Sequence, residues 1–557
     1  MAEELKFSSA APAAGIGPQA SSSPTFPSVR GSSLLTSLDR VTVASLALLF
    51  LLGLGLRGHQ LSAIGFAEDE MNKLDAIAAY KNGDITANGE HPMMMKAFMF
   101  LTLNAAPVLS GGAEKISDET ALRIPNVIFG ALTVIPLFLL TTAFFDRWTG
   151  LLAAAFWAVG VNAITFNRIG KEDTLLVFFM LFAFYFYLRA KQTSTHDMPA
   201  RRRNYIFSGV AFGLMMASKY FPHYFGLNAL YHHNFRVRTP SPGEPSGRTP
   251  TVFYAVIAVA FLIANPAVLL PQVWEYLNAY MGERLLVHTG YFFGGQLYKN
   301  NMSGSPFWGT PIYFYALYVA IKIPLAVLAA FVIGLTVAIR RWRHFGHAFV
   351  LLMLFFWIVP YSLAGAKWLR YALSLMPFIY ILAAVGVMAV VRYLLQRFSH
   401  VPRANAIVPA LAVLIFVVAP AWSAYASGPH YALFTNVLGN GRAGYYFPHD
   451  EFYDDGLREA IDFVSRTAPE GAVMAHETPA VARYYLGRFN RPDLKSHAIS
   501  TNDFDPAKVT EPAFVIVQSG RIYFENRDKL EYVKQHYSKV HEIRIDGLIA
   551  AEVFSNR

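Results

Sequence analysis

The chain has 557 residues, 54% of them hydrophobic, 15% aromatic and only 15% charged, with a formal net charge of +10 and a mean hydropathy of +0.34. Soluble domains carry about 25% charged residues, so the composition excludes an ordinary soluble protein, and several apolar runs approach or exceed the roughly 20 residues that cross a bilayer. The absence of cysteine excludes disulfides, thiolate metal sites and cysteine nucleophiles.

In chain order, residues 1–38 are rich in Ala, Ser, Pro and Gly and read as a disordered cytoplasmic N-terminus without a cleavable signal peptide. From there to about residue 430 the pattern predicts a transmembrane domain of eleven helices. Their approximate positions are 41–57, 122–145, 148–167, 174–190, 205–220, 222–235, 251–270, 311–339, 346–364, 371–391 and 405–425. The cationic loops "RAKQTSTHDMPARRR", "RVR", "RRWRH" and "RYLLQRFSHVPR" all fall on the cytoplasmic side of this count, as the positive-inside rule requires. The positive charge therefore reads as topology rather than as nucleic-acid binding. Two large external loops remain, 58–121 and 271–310. The apolar stretch Pro92–Ser110 is laid along the outer interface as an amphipathic helix, because counting it as a span breaks the charge rule. Within it, Met93–Met95 reads as apolar packing against lipid. Lys322, well inside the 311–339 run, either faces an internal cavity or marks a span that begins above the membrane. From about Tyr445 the pattern changes. "GAVMAHE", "AFVIVQS", "KVHEIRI" and "LIAAEVF" alternate with helical stretches at 452–466 and 524–537, predicting a small soluble α/β domain over 445–557.

The unusual residues gather on one face. "AEDE" (67–70), "EHP" (90–92), "NRIGKED" (167–173), "ASKYFP" (217–222), "HTGYFFGGQLY" (288–298) and "GAKWLRY" (365–371) all lie at the outer ends of the spans. External carboxylates facing external cations suit transfer of a group from an anionic lipid. A hydroxyl acceptor needs a base as it attacks, here Asp69 or a neighbour. A phosphate leaving group needs cations, for which Arg168, Lys219, Lys367 and Arg370 are candidates. No Walker sequence or convincing Gly-rich dinucleotide loop is present, so a membrane-embedded carrier is the more natural donor.

These residues resemble those of glycosyltransferase family 39, the protein O-mannosyltransferases and their bacterial relatives, which share the GT-C membrane fold. Asp69-Glu70 followed by "HPMMMK" (91–96) is similar to that family's first-loop Asp-Glu and its His-Pro-Pro-Leu-Gly-Lys. Arg168 and Asp173 match its second-loop Arg and Asp, and "GLMMASKY", "YVAIKIPL" and "KWLRYALSLMP" look like later segments. The resemblance covers about residues 40–425, and the Met-Met-Met in place of Pro-Leu-Gly is a departure. It implies Asp69 as catalytic base, with Glu70 orienting it or the acceptor. It also implies Arg168, Asp173, Lys219, His91, Lys367, Arg370 and Tyr371 on the substrate and phosphate side. Bacterial relatives include aminoarabinose transferases, and the likeness to those implies a divalent metal (zinc, magnesium or manganese) at Glu90 and His288; no cofactor is read from the residues themselves. The expected protein is a bacterial inner-membrane enzyme whose active site and C-terminal domain are extracytoplasmic. It moves a sugar, mannose the first candidate, from a polyprenyl-phosphate donor to a hydroxyl on protein or lipid, with inversion. The rival is a flippase for the same carrier, which should show paired internal repeats; none is seen.

Overall fold

The computed structural model describes residues 39–111, 116–194, 196–220, 249–282, 288–302 and 307–557. Both the N-terminus 1–38 and the expected span 222–235 lie outside them. Helix α1 (Arg40–Gly58) starts where Asp39 accepts the Thr42 N–H at 2.7 Å. Helix α2 (Glu68–Lys81) follows, then α3 (Met93–Leu109), α4 (Asp118–Leu132) and α5 (Val134–Phe144). Next come α6 (Arg147–Val159), α7 (Val161–Asn167), α8 (Asp173–Gln192) and α9 (Met198–Ser218). Asp146 caps α6 by accepting from Trp148 and Thr149, each at 3.0 Å.

Six described helices are long and apolar enough to cross a membrane, or seven if α6 and α7, bent by 56° at Gly160, form one span. The protein is an integral membrane protein, but by length and composition its described residues do not reach eleven spans. Proline accounts for part of the difference. The expected 311–339 span is two helices, Phe314–Lys322 and Leu325–Arg340, because Pro324 has no N–H and holds Ile323 extended. The expected 251–270 span stops at Ala264, ahead of Pro266. Helices Leu325–Arg340 and Met376–Arg397 pack closely because Gly334 and Gly386 face each other's backbone, where a Cβ would strike the carbonyls of Leu382 and Ala330.

The C-terminal part holds a five-stranded sheet ordered β4-β3-β5-β7-β6. Its strands are β3 (Val473–His476), β4 (Lys495–Ala498), β5 (Ala513–Gln518), β6 (Ser538–Ile545) and β7 (Leu548–Ser555); a small hairpin, β1 (Tyr291–Phe293) with β2 (Gln296–Tyr298), precedes them. β3 runs parallel to β4 and β5, and β7 is antiparallel to β5 and β6. The β6–β7 turn is Asp546-Gly547, both with positive φ, the chemistry a two-residue hairpin demands. The helices here are Leu457–Thr467, Pro479–Arg488 and Arg527–His536. The helix expected over 452–466 therefore starts late: Tyr453, Asp454 and Gly456 all have positive φ, which a helix cannot contain.

This sheet shares a core with the segment between α1 and the middle of α4. Phe66, Met71, Met94, Met95 and Leu122 pack in one buried cluster with Leu457, Ile461, Tyr485 and Ile516. Met94 and Met95 thus pack against protein, not lipid. Arg458 donates to the carbonyls of Ser62 and Ala63 at 2.7 and 2.6 Å, and Arg488 pairs with Glu119 at 2.8 Å. Lys322 is buried, ion-paired to Glu451, and donates to the Ala432 carbonyl at 2.9 Å; it lines an internal cavity with Tyr318 and Asp450.

Candidate active site

The first turn of α2 places three acids about 100° apart around the helix, at the end where the macrodipole favours negative charge. Their side chains reach three different places. Glu70 is 0% exposed. It accepts from Arg123 at 2.8 and 2.6 Å, from the Gly170 N–H at 2.8 Å, and from the Ala67 N–H at 3.1 Å, the last being half of a capping box. Arg123 also donates to the carbonyls of Leu61, Ile64 and Gly65 at 2.7–2.8 Å, so the pair ties the 61–65 turn to α2. Glu68 meets Arg521 of the C-terminal domain at 2.8 Å.

Asp69 faces Lys171, Arg370 and Tyr453, three residues that line a cleft. Lys171 lies at 2.9 Å from one oxygen and Arg370 at 3.1 Å from the other, which also accepts the Tyr453 hydroxyl. The cleft, of about 310 Å³, is lined by Phe166, Ile169, Lys171, Asp173, Arg370, Asp450 and Tyr453. On its wall Lys219 pairs with Asp173 at 2.6 Å and sits 4.4 Å over the Tyr371 ring. Arg370 lies against the Trp368 and Tyr371 rings. Asp69, Asp173, Lys219, Arg370 and Tyr371, all singled out from sequence, are therefore brought together.

Other expected site residues are placed differently. Arg168 spends its guanidinium on the carbonyls of Arg57, His59 and Gln60 at 2.7, 2.6 and 3.1 Å, closing the C-terminal end of α1. Its place toward Asp69 is taken by Lys171. Lys367 is buried, donating to the carbonyls of Thr310 (2.6 Å) and Ala364. His91 lies 3.9 Å from Glu172, which Lys73 holds at 2.7 Å. One Glu90 oxygen accepts from Asn88, and the other has no hydrogen-bond partner among the described residues. His288 stacks on Tyr523 at 4.3 Å and faces Glu477 at 3.5 Å. Glu90 and His288 thus engage different partners with no ion pair between them. Among the described residues no group of three or more His, Asp or Glu is arranged to hold a metal ion.

Sequence reasoning missed Lys171, Arg123, Asp450 and Tyr453. Lys171 stood inside the quoted "NRIGKED", and its signal was its position in the loop, four residues past the end of α7. Asp450 and Tyr453 come from the C-terminal segment, Tyr453 from 384 residues beyond Asp69.

The electrostatics follow from this packing. Burial alone would raise the Asp69 pKa, but Lys171, Arg370 and Lys73 hold it well below the usual carboxylate range. Burial pushes Lys171 down to about 8 against the pull of Asp69. It also drives His91 well below its ordinary value, with Lys73 and Lys171 adding to it and Glu172 opposing. Asp450, buried against the Tyr291 hydroxyl, is pushed up to about 6.

Residues 110–270 match the family model described as dolichyl-phosphate-mannose-protein mannosyltransferase. The match includes Lys171, Asp173 and Lys219 but ends short of Asp69 on one side and Arg370 on the other. Similar solved structures include ArnT from Cupriavidus metallidurans in the apo state, at 15% identity and TM-score 0.49, covering 93% of this chain and 97% of that one. The Archaeoglobus fulgidus oligosaccharyltransferase tethered with an acceptor peptide is similar at 12% identity and TM-score 0.49, covering 93% and 74%. The S. cerevisiae Pmt1-Pmt2 complex bound to the sugar donor matches at 19% identity and TM-score 0.31, covering 44% and 34%. No curated protein matches the chain.

Proposed function

We propose that the protein transfers a sugar, with mannose the first candidate, from a polyprenyl-phosphate carrier to a hydroxyl on protein or lipid. The site and the C-terminal domain lie on the extracytoplasmic side of a bacterial plasma membrane. The observation that carries this is the meeting of Asp69 with Lys171 and Arg370 beside a cleft, from segments 301 residues apart at the widest for these three. The family match, named for a dolichyl-phosphate sugar, supports the donor class.

The resting geometry implies an order of events. An Asp held far below neutral pH is a poor base. The carrier's phosphate is a better partner for Arg370 and Lys171, the guanidinium accepting it in bidentate fashion. Once the phosphate draws those cations away, Asp69 loses the charges that depress it and becomes basic enough to take a proton. The acceptor oxygen then attacks the anomeric carbon from the face opposite the phosphate and passes its proton to Asp69. The bond from that carbon to the phosphate oxygen breaks, and the cations hold the charge that appears on it. Inversion follows from the single displacement. Glu70, Arg123, Arg168 and Lys367 hold the backbone that sets these positions.

The test is sugar transfer by purified protein in lipid with a panel of polyprenyl-phosphate sugars. Consumption of one donor with a glycosylated, inverted product supports the reading. Labelled carrier crossing the bilayer with no donor consumed makes the protein a flippase and ends it.

A further inference from the structure

Tyr453 reaches Asp69 from the far end of the chain, and the backbone that delivers it is unusual. Tyr453 and Asp454 are consecutive non-glycine residues with φ of 44° and 68°, a conformation that L-residues rarely adopt and that, when held in place, clusters at functional positions. The turn is pinned on both sides. Asp454 accepts from Arg521 at 2.7 Å, from Gln518 at 3.0 Å and from the Glu68 N–H at 2.9 Å. Asp455 pairs with His430 at 2.6 Å. The result is one hydroxyl donating to the Asp69 oxygen that Arg370 also holds.

In the transfer reaction the group that donates a hydroxyl hydrogen to Asp69 is the acceptor. We infer that Tyr453 occupies the seat of the acceptor hydroxyl in the resting protein and must leave it before transfer. This rests on the transferase reading above. Two cavities meet at this side chain. Tyr453 lines the 310 Å³ cleft of Lys171 and Arg370, and also a neighbouring cavity of about 530 Å³ that includes Ile64, Ala67, His430 and Asp455. Its displacement joins them and gives an acceptor room beside the donor phosphate. Burial and the nearby Asp69 hold the Tyr453 phenol well above its ordinary pKa, so it stays a neutral donor and does not itself become a nucleophile.

The consequence is protection of the donor. Water in the same seat would be activated as the acceptor is. Its oxygen would bond to the anomeric carbon, its proton would pass to Asp69, and the sugar-phosphate bond would break, releasing free sugar and the lipid phosphate. With Tyr453 in place its hydroxyl fills that seat on the Asp69 oxygen, and water takes the seat only when the ring is displaced.

The experiment measures donor hydrolysis without acceptor and transfer with acceptor, for wild type, Tyr453→Phe and Tyr453→Ala, in lipid. Binding of a fluorescent polyprenyl phosphate is followed in parallel. The expected result is a rise in the hydrolysis-to-transfer ratio of about two- to tenfold in both variants, what losing one ordinary hydrogen bond amounts to, with carrier binding retained. If hydrolysis and transfer fall together, Tyr453 only orients Asp69 and the inference is overturned. Loss of carrier binding in both variants also overturns it, because the hydroxyl would then belong to the donor site. A wild type that consumes no donor overturns the transferase reading and this inference with it. A wild type that transfers, beside variants whose ratio is unchanged, overturns this inference alone.

Discussion

Glu70 and Asp69 are neighbours on one helical turn. Glu70 is sealed from solvent and satisfied by Arg123 and two backbone N–H groups. Asp69 keeps 26% of its side chain exposed and meets Lys171, Arg370 and Tyr453 across a cleft. The loop 168–173 repeats the contrast. Arg168 is spent on main-chain carbonyls, whereas Lys171 is paired to a carboxylate. A cation bound to backbone carbonyls cannot change partners without unmaking the fold. A cation bound to a carboxylate at a cleft can exchange it for a phosphate at little cost. Type of partner, more than charge or neighbouring volume, separates the frame of this site from its chemistry, since Glu70, Arg123 and Arg168 also line a cavity, of about 530 Å³.

The widest break in that contrast comes from Arg123→Met. It leaves Glu70 buried without its cation, and unfolding stability should fall by about 3–5 kcal/mol, read from thermal or denaturant unfolding at neutral pH. Lys171→Met and Arg370→Met should instead leave stability nearly intact while kcat/KM for the donor falls roughly 10- to 150-fold, the span of a charge-assisted hydrogen bond worth about 1.5–3 kcal/mol. Arg168→Met sharpens the comparison from the other side, since it should lower the unfolding temperature but leave donor KM within about twofold. The pH profile gives a further separation. Lys171 titrates at about 8 in the free protein, and phosphate binding needs it charged. Donor kcat/KM should therefore fall as pH rises through about 8, and Lys171→Met should lose that limb. Smallest of all, Arg483→Ala removes an exposed pair with Asp75 at 2.7 Å and should change stability by no more than about 1 kcal/mol.

Much of the fold was legible because apolar runs and alternating strands are local signals. Strands β3, β5, β6 and β7 fall where their alternation predicts. Strand β4, "KSHA", is short and polar and lies at the sheet edge, so no periodicity marks it. The break at Pro324 was written in the sequence but outweighed by the length of the apolar run. In the site, "AEDE" stood out because acids are rare at the end of a span, yet nothing local tells Asp69 from Glu70. Only the partners do, and those lie 53 residues away for Arg123 and 301 for Arg370. The segment around Tyr453 was read as the start of a helix. It fails to be one where the chain adopts left-handed conformations to reach Asp69, the place where a local reading is expected to fail.

The most direct test of the account is a paired one: sugar transfer and unfolding temperature of Asp69→Asn and Glu70→Gln beside wild type, in lipid with the donor that wild type consumes. The account predicts that Asp69→Asn keeps the wild-type unfolding temperature and loses transfer by at least about 100-fold, the low end for removing a general base. Glu70→Gln should unfold at lower temperature while its folded fraction transfers within a few-fold of wild type. The reverse pattern, with transfer surviving in Asp69→Asn and abolished in a fully folded Glu70→Gln, would contradict the assignment of frame and chemistry to these two residues.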